Sequence, residues 1–190
     1  MAELSSSTGP THDTIDVLAG LRADSAIAAI RHARDKVVTH TQRSEEALFD
    51  PALPDLPLRE RLFAAWYVAH LSRADELADT YAGRLIAAGA GSSTRNAPLA
   101  DTLAAIEAGT LDVTSHTRLI AILAHVKLLT LTPVDARPHH LQALEQAGLS
   151  TRGIVALSQL IAFVTYQLRV IAGLKALRDA QTPLAPQEAA

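Results

Sequence analysis

The stretch from Ser150 to Leu177 reads STRGIVALSQLIAFVTYQLRVIAGLKAL and is the longest apolar segment of the chain. Gly148 and Ser150 mark its start, since glycine commonly ends the preceding helix and serine is a favoured N-cap. A helix of this length spans about 40 Å, enough to run through a small domain. Two glutamines and Arg169 interrupt the apolar run, whereas a membrane-spanning helix needs about 20 mostly apolar residues. The pattern therefore predicts a central core helix.

The amino-acid composition favours an all-α protein. Hydrophobic residues make up 48% of the 190 residues and aromatic residues only 4%, so the apolar content is mainly Ala, Leu, Ile and Val. Alanine and leucine rank high in helix propensity, and the length suits one domain with a substantial core. We therefore expect a single all-α domain, a bundle of about seven to eight packed helices.

Charge and cysteine content exclude several classes of function. The formal net charge is −3 and the arginines are spread along the chain, which disfavours nucleic acid and anionic membrane surfaces as partners. The chain has no cysteine. Disulfides, thiolate zinc sites, iron–sulfur clusters and a cysteine nucleophile are therefore excluded.

The two ends of the chain differ in composition from its middle. Residues 1–14 are rich in Ser and Thr and lack the basic and apolar regions of a secretory signal. We expect them to form a disordered or arm-like N-terminus of a cytoplasmic protein. Residues 15–180 are expected to form the helical domain, and residues 181–190 a disordered tail.

Prolines and glycines divide the middle of the chain into helices. The segment DPALPDLP (50–57) contains three prolines and is expected to be an extended loop, and GAGSSTRN (89–96) a flexible one. Candidate N-caps are Asp24 or Ser25, Ser72, Asn96, and Thr114 or Ser115. Helices are accordingly predicted over 25–36, 37–49, 58–71, 74–89, 97–109, 116–132, 136–148 and 150–177, with a short docked turn at 15–20.

The eight histidines do not have the spacing of a metal site. Zinc and non-haem iron sites typically use histidines four residues apart on one helix face. Here His32 and His40 are eight residues apart, and His139 and His140 are adjacent. Phosphate-binding motifs (GxxxxGKS/T and GxGxxG) and the GxSxG elbow are absent as well. No metal and no cofactor is therefore predicted.

Two polar clusters remain as candidate sites, and the first lies on the central helix. At 3.6 residues per turn, Gln159, Tyr166 and Arg169 share one edge. A buried arginine is costly unless it is paired, so Arg169 predicts a carboxylate partner, with Glu60 or Glu76 as candidates. An ion pair that fixes helix packing or a subunit interface is favoured over a catalytic role. The opposite, aliphatic side consists of Leu157, Ile161, Val164, Leu168 and Ile171.

The second cluster lies on the helix–break–helix segment 58–85. It places a carboxylate and an imidazole near an apolar segment, and such a combination serves proton transfer. The more common explanation of such residues is a helix surface with a cap. The cluster comprises Glu60, His70, Ser72, Asp75, Glu76 and Tyr81.

Several short motifs, in the right order, resemble a known family. LLTLTP (128–133) and LQALEQAGLSTRGIVALSQLIAFVTYQLRVIAGL (141–174) are similar to the C-terminal half of one superfamily. It is the AhpD-like, or carboxymuconolactone decarboxylase (CMD), superfamily, and the similarity is to its peroxidase-related branch. QRSEEALF (42–49) and LRERLFAAWYVAHL (58–71) resemble the same branch more loosely. The resemblance thus extends over most of the chain.

This resemblance implies an all-α fold that usually forms homodimers, trimers or hexamers. The helix AFVTYQLRVIAGL keeps the tyrosine and the arginine of the branch as Tyr166 and Arg169. Thr165 and Leu168 replace its two asparagines.

The resemblance also bears on the chemistry. Redox-active members have a glutamate followed by Cys-x-x-Cys and then a histidine. Aligned on Glu60, this chain has Ser72, Asp75 and Asp79 at those positions, and a register shifted by two residues also supplies neither thiol nor histidine. A thiolate is the nucleophile of that chemistry, so thiol peroxidase activity is not expected. The decarboxylase side of the superfamily works without cysteine, through acid–base chemistry.

The sequence therefore predicts a cysteine-free AhpD-like/CMD protein that forms a homo-oligomer. An apolar pocket between helices would bind a small organic molecule and support acid–base or decarboxylase-type chemistry. The alternative is a non-catalytic, degenerate member that serves assembly or partner binding, so whether the protein is an enzyme stays open. The predicted catalytic residues are Glu60, His70 and Tyr81, and the predicted pocket-binding residues are Trp66, His125, Tyr166 and Arg169.

Overall fold

The computed structural model describes residues 13–89 and 99–181. Within these two ranges every regular element is a helix, so the predicted all-α class is confirmed. Three predicted features lie outside the described residues, namely the N-terminal arm up to residue 12, the loop segment 90–96 with its Asn96 cap, and the tail 182–190.

The described ranges contain nine α-helices and one 3₁₀-helix. The helix beyond the expected eight is α1, where a turn was predicted. Asp13 Oδ1 caps it by accepting hydrogen bonds from the backbone amides of Ile15 (2.9 Å) and Asp16 (3.1 Å). The helices are α1 (Thr14–Leu18), α2 (Ala26–His32), α3 (Asp35–Leu48), α4 (Leu58–Leu71), α5 (Asp75–Gly89), α6 (Leu99–Ala108), α7 (Val113–Leu131), α8 (Pro138–Gln146) and α9 (Thr151–Gln181), with the 3₁₀-helix at Pro133–Asp135.

The predicted cap at Ser25 is confirmed and the one at Ser72 is wrong. Ser25 Oγ accepts a hydrogen bond from the Ala28 amide at 3.2 Å. Ser72 instead ends α4, where its backbone amide donates to the carbonyl of Val68 at 3.1 Å. The next residue, Arg73, has a left-handed φ of 56°, a conformation that does not continue a helix. The chain therefore turns at this point before α5 begins.

The predicted start of the long helix is confirmed by the turn between α8 and α9. Gly148 has a φ of 84°, and the Leu149 amide donates to the Leu144 carbonyl at 3.0 Å, as in a Schellman motif. Ser150 Oγ then accepts a hydrogen bond from the Gly153 amide at 3.1 Å. Glycine ends one helix and serine caps the next, as their types predict.

The backbone contacts group the chain into two compact units. In the described ranges, the first unit comprises residues 13–43 and 170–181, and the second unit comprises residues 44–89 and 99–169.

Charged side chains anchor the short helices of the first unit. Arg31 Nη1 lies 2.9 Å from Asp13 Oδ2 and 2.9 Å from Asp16 Oδ1, and the Arg31 side chain is only 9% exposed. Arg178 Nη1 donates to the carbonyl of Ala19, just beyond α1, at 2.9 Å. The five-residue α1 is too short to be stable alone, so these contacts hold it in place.

The core of the second unit is built around α4, which packs against α5 and α7. Ala64, Ala65 and Ala69 are fully buried, and such small side chains allow neighbouring helices to approach closely. Larger apolar side chains fill the space between them. On α4 these are Leu62, Phe63, Trp66 and Val68.

The aliphatic side of α9 faces this core, as predicted. Leu157, Ile161 and Val164 are at most 2% exposed. Among the helices of the described ranges, only α9 is long and apolar enough to cross a membrane, with a mean hydropathy of 1.6 over 18 residues. Half of that window is buried inside the protein. Burial of this kind is typical of a core helix.

Arg61 of α4 anchors the proline-rich loop 50–57. Its side chain is fully buried, and its guanidinium donates to the carbonyls of Leu48, Asp50 (2.8 Å) and Leu56 (2.8 Å). Burial lowers the pKa of Arg61, while the nearby charge of Asp50 raises it. Because three carbonyls accept its protons, the buried guanidinium is satisfied without a carboxylate hydrogen bond.

Candidate functional site

A cleft of about 870 Å³ opens in the second unit between the start of α4, α6 and the start of α7. Its walls combine apolar and polar side chains in similar number. The apolar ones are Pro57, Phe63, Ala105, Leu111 and Leu119, and the polar ones are Arg59, Glu60, Asp101, Thr102, Ser115 and His116.

Glu60 is held in the wall of the cleft by Arg118 of α7. Glu60 Oε1 accepts a hydrogen bond from Arg118 Nε at 2.8 Å. The same guanidinium donates to the carbonyls of Gly148 (2.5 Å) and Asp55 (3.2 Å), which fixes its position. Glu60 Oε2 is buried and has no hydrogen-bond partner among the described residues. The carboxylate therefore has one bonded oxygen and one buried oxygen without a bond.

Asp112 sets the start of α7 and so places two cleft residues. Its carboxylate accepts hydrogen bonds from the Thr114 amide (3.2 Å) and from Ser115 Oγ (2.5 Å). The bond from the Ser115 hydroxyl, followed by those from the Thr114 hydroxyl and amide, lowers the pKa of Asp112 to about 2. The prediction of Thr114 or Ser115 as the cap is wrong because the carboxylate of Asp112 lies earlier and accepts more bonds.

His116 breaks the regular geometry of α7. It has a φ of −132° and a ψ of 25°, outside the helical range. Its Nδ1 lies 3.3 Å from the Asp112 carbonyl oxygen. Since a carbonyl oxygen only accepts, Nδ1 carries a proton in this contact.

Of the seven predicted site residues, the structure places only Glu60 in the cleft. His70 is ten residues further along α4, about 15 Å along the helix axis. Its Nδ1 lies 3.5 Å from Glu107 Oε1, and its ring stacks on Trp66 with centroids 5.3 Å apart. Glu60 and His70 therefore do not act on the same atoms.

Tyr81 lies in the core and not in the cleft. Its hydroxyl donates to Gln167 Oε1 at 2.8 Å, and Gln167 Nε2 in turn donates to Glu45 Oε2 at 3.4 Å. Arg84 Nη1 completes the cluster, 3.0 Å from Glu45 Oε1. Burial, followed by the charge of Glu45, raises the pKa of Tyr81. Tyr81 therefore keeps its proton and links α5 to α9.

Arg169 was predicted to be buried and paired with Glu60 or Glu76, and both the burial and the Glu60 partner are wrong. Arg169 is exposed, Tyr166 is 40% exposed, and the partner of Glu60 is Arg118. The polar residue that α9 turns into the core is Gln167, which is fully buried. The polar edge of α9 therefore faces outward, and one glutamine, Gln167, lies on the side that faces the core.

Trp66 and His125, also predicted to line a pocket, are buried and do not line the cleft. His125 is 5% exposed, and neither ring nitrogen has a hydrogen-bond partner among the described residues. Burial lowers the pKa of His125, and the nearby His140 lowers it further.

Sequence reasoning missed Arg118, Ser115, His116 and Asp101 as cleft residues. Arg118 is 58 positions from Glu60, so no local spacing relates the two. The only signal was the Asp-x-Thr-Ser start of α7 (112–115), which is typical of a helix cap.

Comparison with known proteins adds no assignment. No family model matches the chain, and neither a curated protein nor a solved structure shows significant similarity to it. The resemblance to the AhpD-like/CMD superfamily therefore stays a prediction.

Proposed function

We propose that the protein binds a small, partly apolar organic molecule in the cleft of the second unit. The observation that carries this proposal is the mixed lining of the cleft, in which Glu60, held by Arg118, and Asp101 lie among apolar side chains. The cleft volume of about 870 Å³ lies in the range of small-molecule sites, roughly 300–1,000 Å³. The mixed lining offers apolar contact area and fixed polar groups for orientation.

Any acid–base chemistry in this cleft rests on the titratable residues of its described lining, Glu60, Asp101 and His116, because His70 and Tyr81 lie elsewhere. We include in the proposal that the protein is a cytoplasmic, cysteine-free relative of the AhpD-like/CMD proteins. The order of the motifs along the chain supports this part.

Filling the cleft tests the proposal. Ala105 lines the cleft from α6, whereas the neighbouring Ala104 is exposed and outside it. A fragment library is screened by ligand-observed NMR against the wild type, Ala105→Phe and Ala104→Phe. We expect hits that bind the wild type and Ala104→Phe but not Ala105→Phe. If no hit depends on residue 105 while both variants keep their circular dichroism spectra, the cleft is not a binding site.

A second candidate function, non-catalytic homo-oligomeric assembly, is favoured by the outer side of α9. Val155 and Tyr166 are 51% and 40% exposed and lie three turns apart on the same side of the helix. Sedimentation of the wild type and of Val155→Glu separates the cases. An oligomer that the substitution disrupts supports assembly through α9, whereas a monomeric wild type contradicts it.

A further inference from the structure

We propose that acidification releases the segment 133–147, which contains α8, from the rest of the second unit, and that the buried imidazole of His125 triggers this release. The proposal is independent of ligand binding, since neither His125 nor any residue of α8 lines the cleft. It rests on two observations. One is a buried imidazole without hydrogen bonds, and the other is a helix that a single buried side chain attaches.

His125 of α7 occupies a site that suits only the neutral form of its ring. The residue is 5% exposed, and neither ring nitrogen has a hydrogen-bond partner among the described residues. A protonated imidazole carries two N–H donors, and a buried charge without partners is costly. The docked conformation therefore opposes protonation of this ring, and a conformation that admits water to it does not.

The helix α8, which packs against α7, is attached by few buried groups. Within this helix, which the structure describes throughout, Leu144 is the one buried residue, at 1% exposure. His140 is half-buried, and the other side chains of α8 are exposed. The preceding 3₁₀-helix Pro133–Asp135 has no buried residue. Segments with so few buried contacts open locally before a whole domain unfolds.

Both ends of the segment limit how far the opening extends. At the C-terminal end, the Gly148 carbonyl accepts a hydrogen bond from Arg118 Nη1 at 2.5 Å, and Ser150 caps α9. At the N-terminal end, Thr132 has a φ of −136° and a ψ of 58°, outside the helical range, and Pro133 follows it. The segment can therefore detach between the end of α7 and the start of α9 while both helices stay folded.

The direction of the pH effect follows from the two states of this segment. In the closed state burial lowers the pKa of His125, and the charge of His140 lowers it further. In the open state water reaches the imidazole, so its pKa returns toward the ordinary value of about 6.5. The open state therefore binds the proton more tightly, and opening becomes more favourable as the pH falls below about 6.5.

The other charged and titratable groups around α7 do not act on His125. In the described part of the chain, burial and His140 are the two causes of its lowered pKa. Glu60, Arg61 and His70 of α4 are bonded to or ion-paired with other groups. The remaining groups on these elements are Arg59 and Tyr67 on α4, Asp135 in the 3₁₀-helix, His139 and Glu145 on α8, and Lys127 on α7 itself.

Amide hydrogen exchange of the full chain, followed by NMR between pH 7.5 and pH 5, tests the proposal. Protection factors, corrected for the intrinsic exchange rate at each pH, compare the amides of α8 with those of the buried helix α4. We expect protection in α8 to be at least about tenfold lower than in α4 at every pH, because α8 opens without global unfolding. Below about pH 6.5 it is expected to fall by at most about tenfold per pH unit, as the uptake of one proton requires.

Variants assign the pH dependence to one imidazole. His125→Phe replaces the imidazole with a ring that does not titrate, and the fall of α8 protection below about pH 6.5 is expected to disappear. His139→Ala, at an exposed residue of α8, is the control and is expected to retain the fall. The comparison of α8 with α4 in the wild type decides the outcome even if His125→Phe does not fold.

Three results would overturn the proposal. Equal protection of α8 and α4 at every pH would mean that the segment opens only when the whole unit unfolds. Protection of α8 that stays constant from pH 7.5 to pH 5 would mean that opening does not expose the imidazole. A pH dependence that persists in His125→Phe would mean that another group triggers the release.

Discussion

Two glutamate–arginine pairs in the second unit, Glu45–Arg84 and Glu60–Arg118, differ in how completely the protein satisfies the carboxylate. Glu45 is 7% exposed, and both its oxygens are engaged, Oε1 by Arg84 at 3.0 Å and Oε2 by Gln167 at 3.4 Å. Glu60 has only Oε1 engaged, by Arg118 at 2.8 Å, while Oε2 has no partner among the described residues. The first pair belongs to the core, and the second borders a cleft. The same kind of ion pair is thus completed by further bonds in the core and leaves one buried oxygen unbonded beside the cleft.

The largest expected effect is on stability at the completed pair. Glu45→Ala leaves the buried Gln167 amide and the partly exposed Arg84 guanidinium without their shared partner. Removing one member of a buried polar network costs about 3 kcal/mol, and urea unfolding measures it. The neighbouring Glu46 is exposed, so Glu46→Ala serves as the control, with an expected change of less than about 0.5 kcal/mol. Equal losses in the two variants would show that the Glu45 cluster is not a structural element.

The second prediction concerns His125, a buried group with neither nitrogen bonded among the described residues. Burial and His140 lower its pKa in the folded state, below the ordinary value of about 6.5 that applies to the unfolded chain. The unfolded chain therefore takes up the proton first as the pH falls. The free energy of unfolding is fully present above about pH 6.5 and decreases below it, by at most about 1.4 kcal/mol per pH unit from this residue.

Urea unfolding between pH 7.5 and pH 5 measures this slope. In His125→Phe the part of the slope that this imidazole causes disappears, while His139→Ala, a change at an exposed residue of α8, retains it. A His125→Phe variant with the slope of the wild type would mean that the buried imidazole is not responsible.

The smallest effect on stability is expected at the incomplete pair. In Glu60–Arg118 the side chains are 20% and 31% exposed, and Arg118 keeps its two carbonyl bonds when the carboxylate is removed. Glu60→Ala is therefore expected to cost about 0.5–1 kcal/mol, clearly less than Glu45→Ala. Urea unfolding of the two variants side by side checks the difference. A loss of stability as large as that of Glu45→Ala would remove the contrast between the pairs.

The helices could be predicted from the sequence because their ends are local. The prolines at 51, 54 and 57 exclude a helix, Gly148 and Ser150 mark one junction, and eight of the nine helices in the described ranges lie where apolar spacing predicts them. The short α1 was missed because five residues give no periodic signal, and Asp13 alone caps it.

The site was less predictable because it depends on the rotation of helices and on distant pairs. Successive residues on a helix differ by 100° in direction, so Gln167 and Arg169 point about 160° apart. The aliphatic side of α9 was placed correctly, but Arg169, on the opposite side, was taken as the buried polar residue instead of Gln167. Glu60 was recognised by type, but its partner Arg118 lies on a helix that no local pattern connects to it. The cap of α7 depends on the carboxylate of Asp112, and the orientation of His116 depends on the backbone carbonyl of the same residue.

The burial of Arg61 has a practical consequence for limited proteolysis. Trypsin cleaves after arginine only where the backbone can enter its active site, and Arg61 is fully enclosed while it holds three carbonyls. Arg22, by contrast, has an 82% exposed side chain and lies between helices. Because Arg61 lies in the first turn of α4, cleavage after residue 61 reports unfolding of the start of this helix together with the loop at 50–57, whereas cleavage after residue 22 reports only accessible surface. Cleavage after Arg61 is therefore a marker of local unfolding beside the cleft.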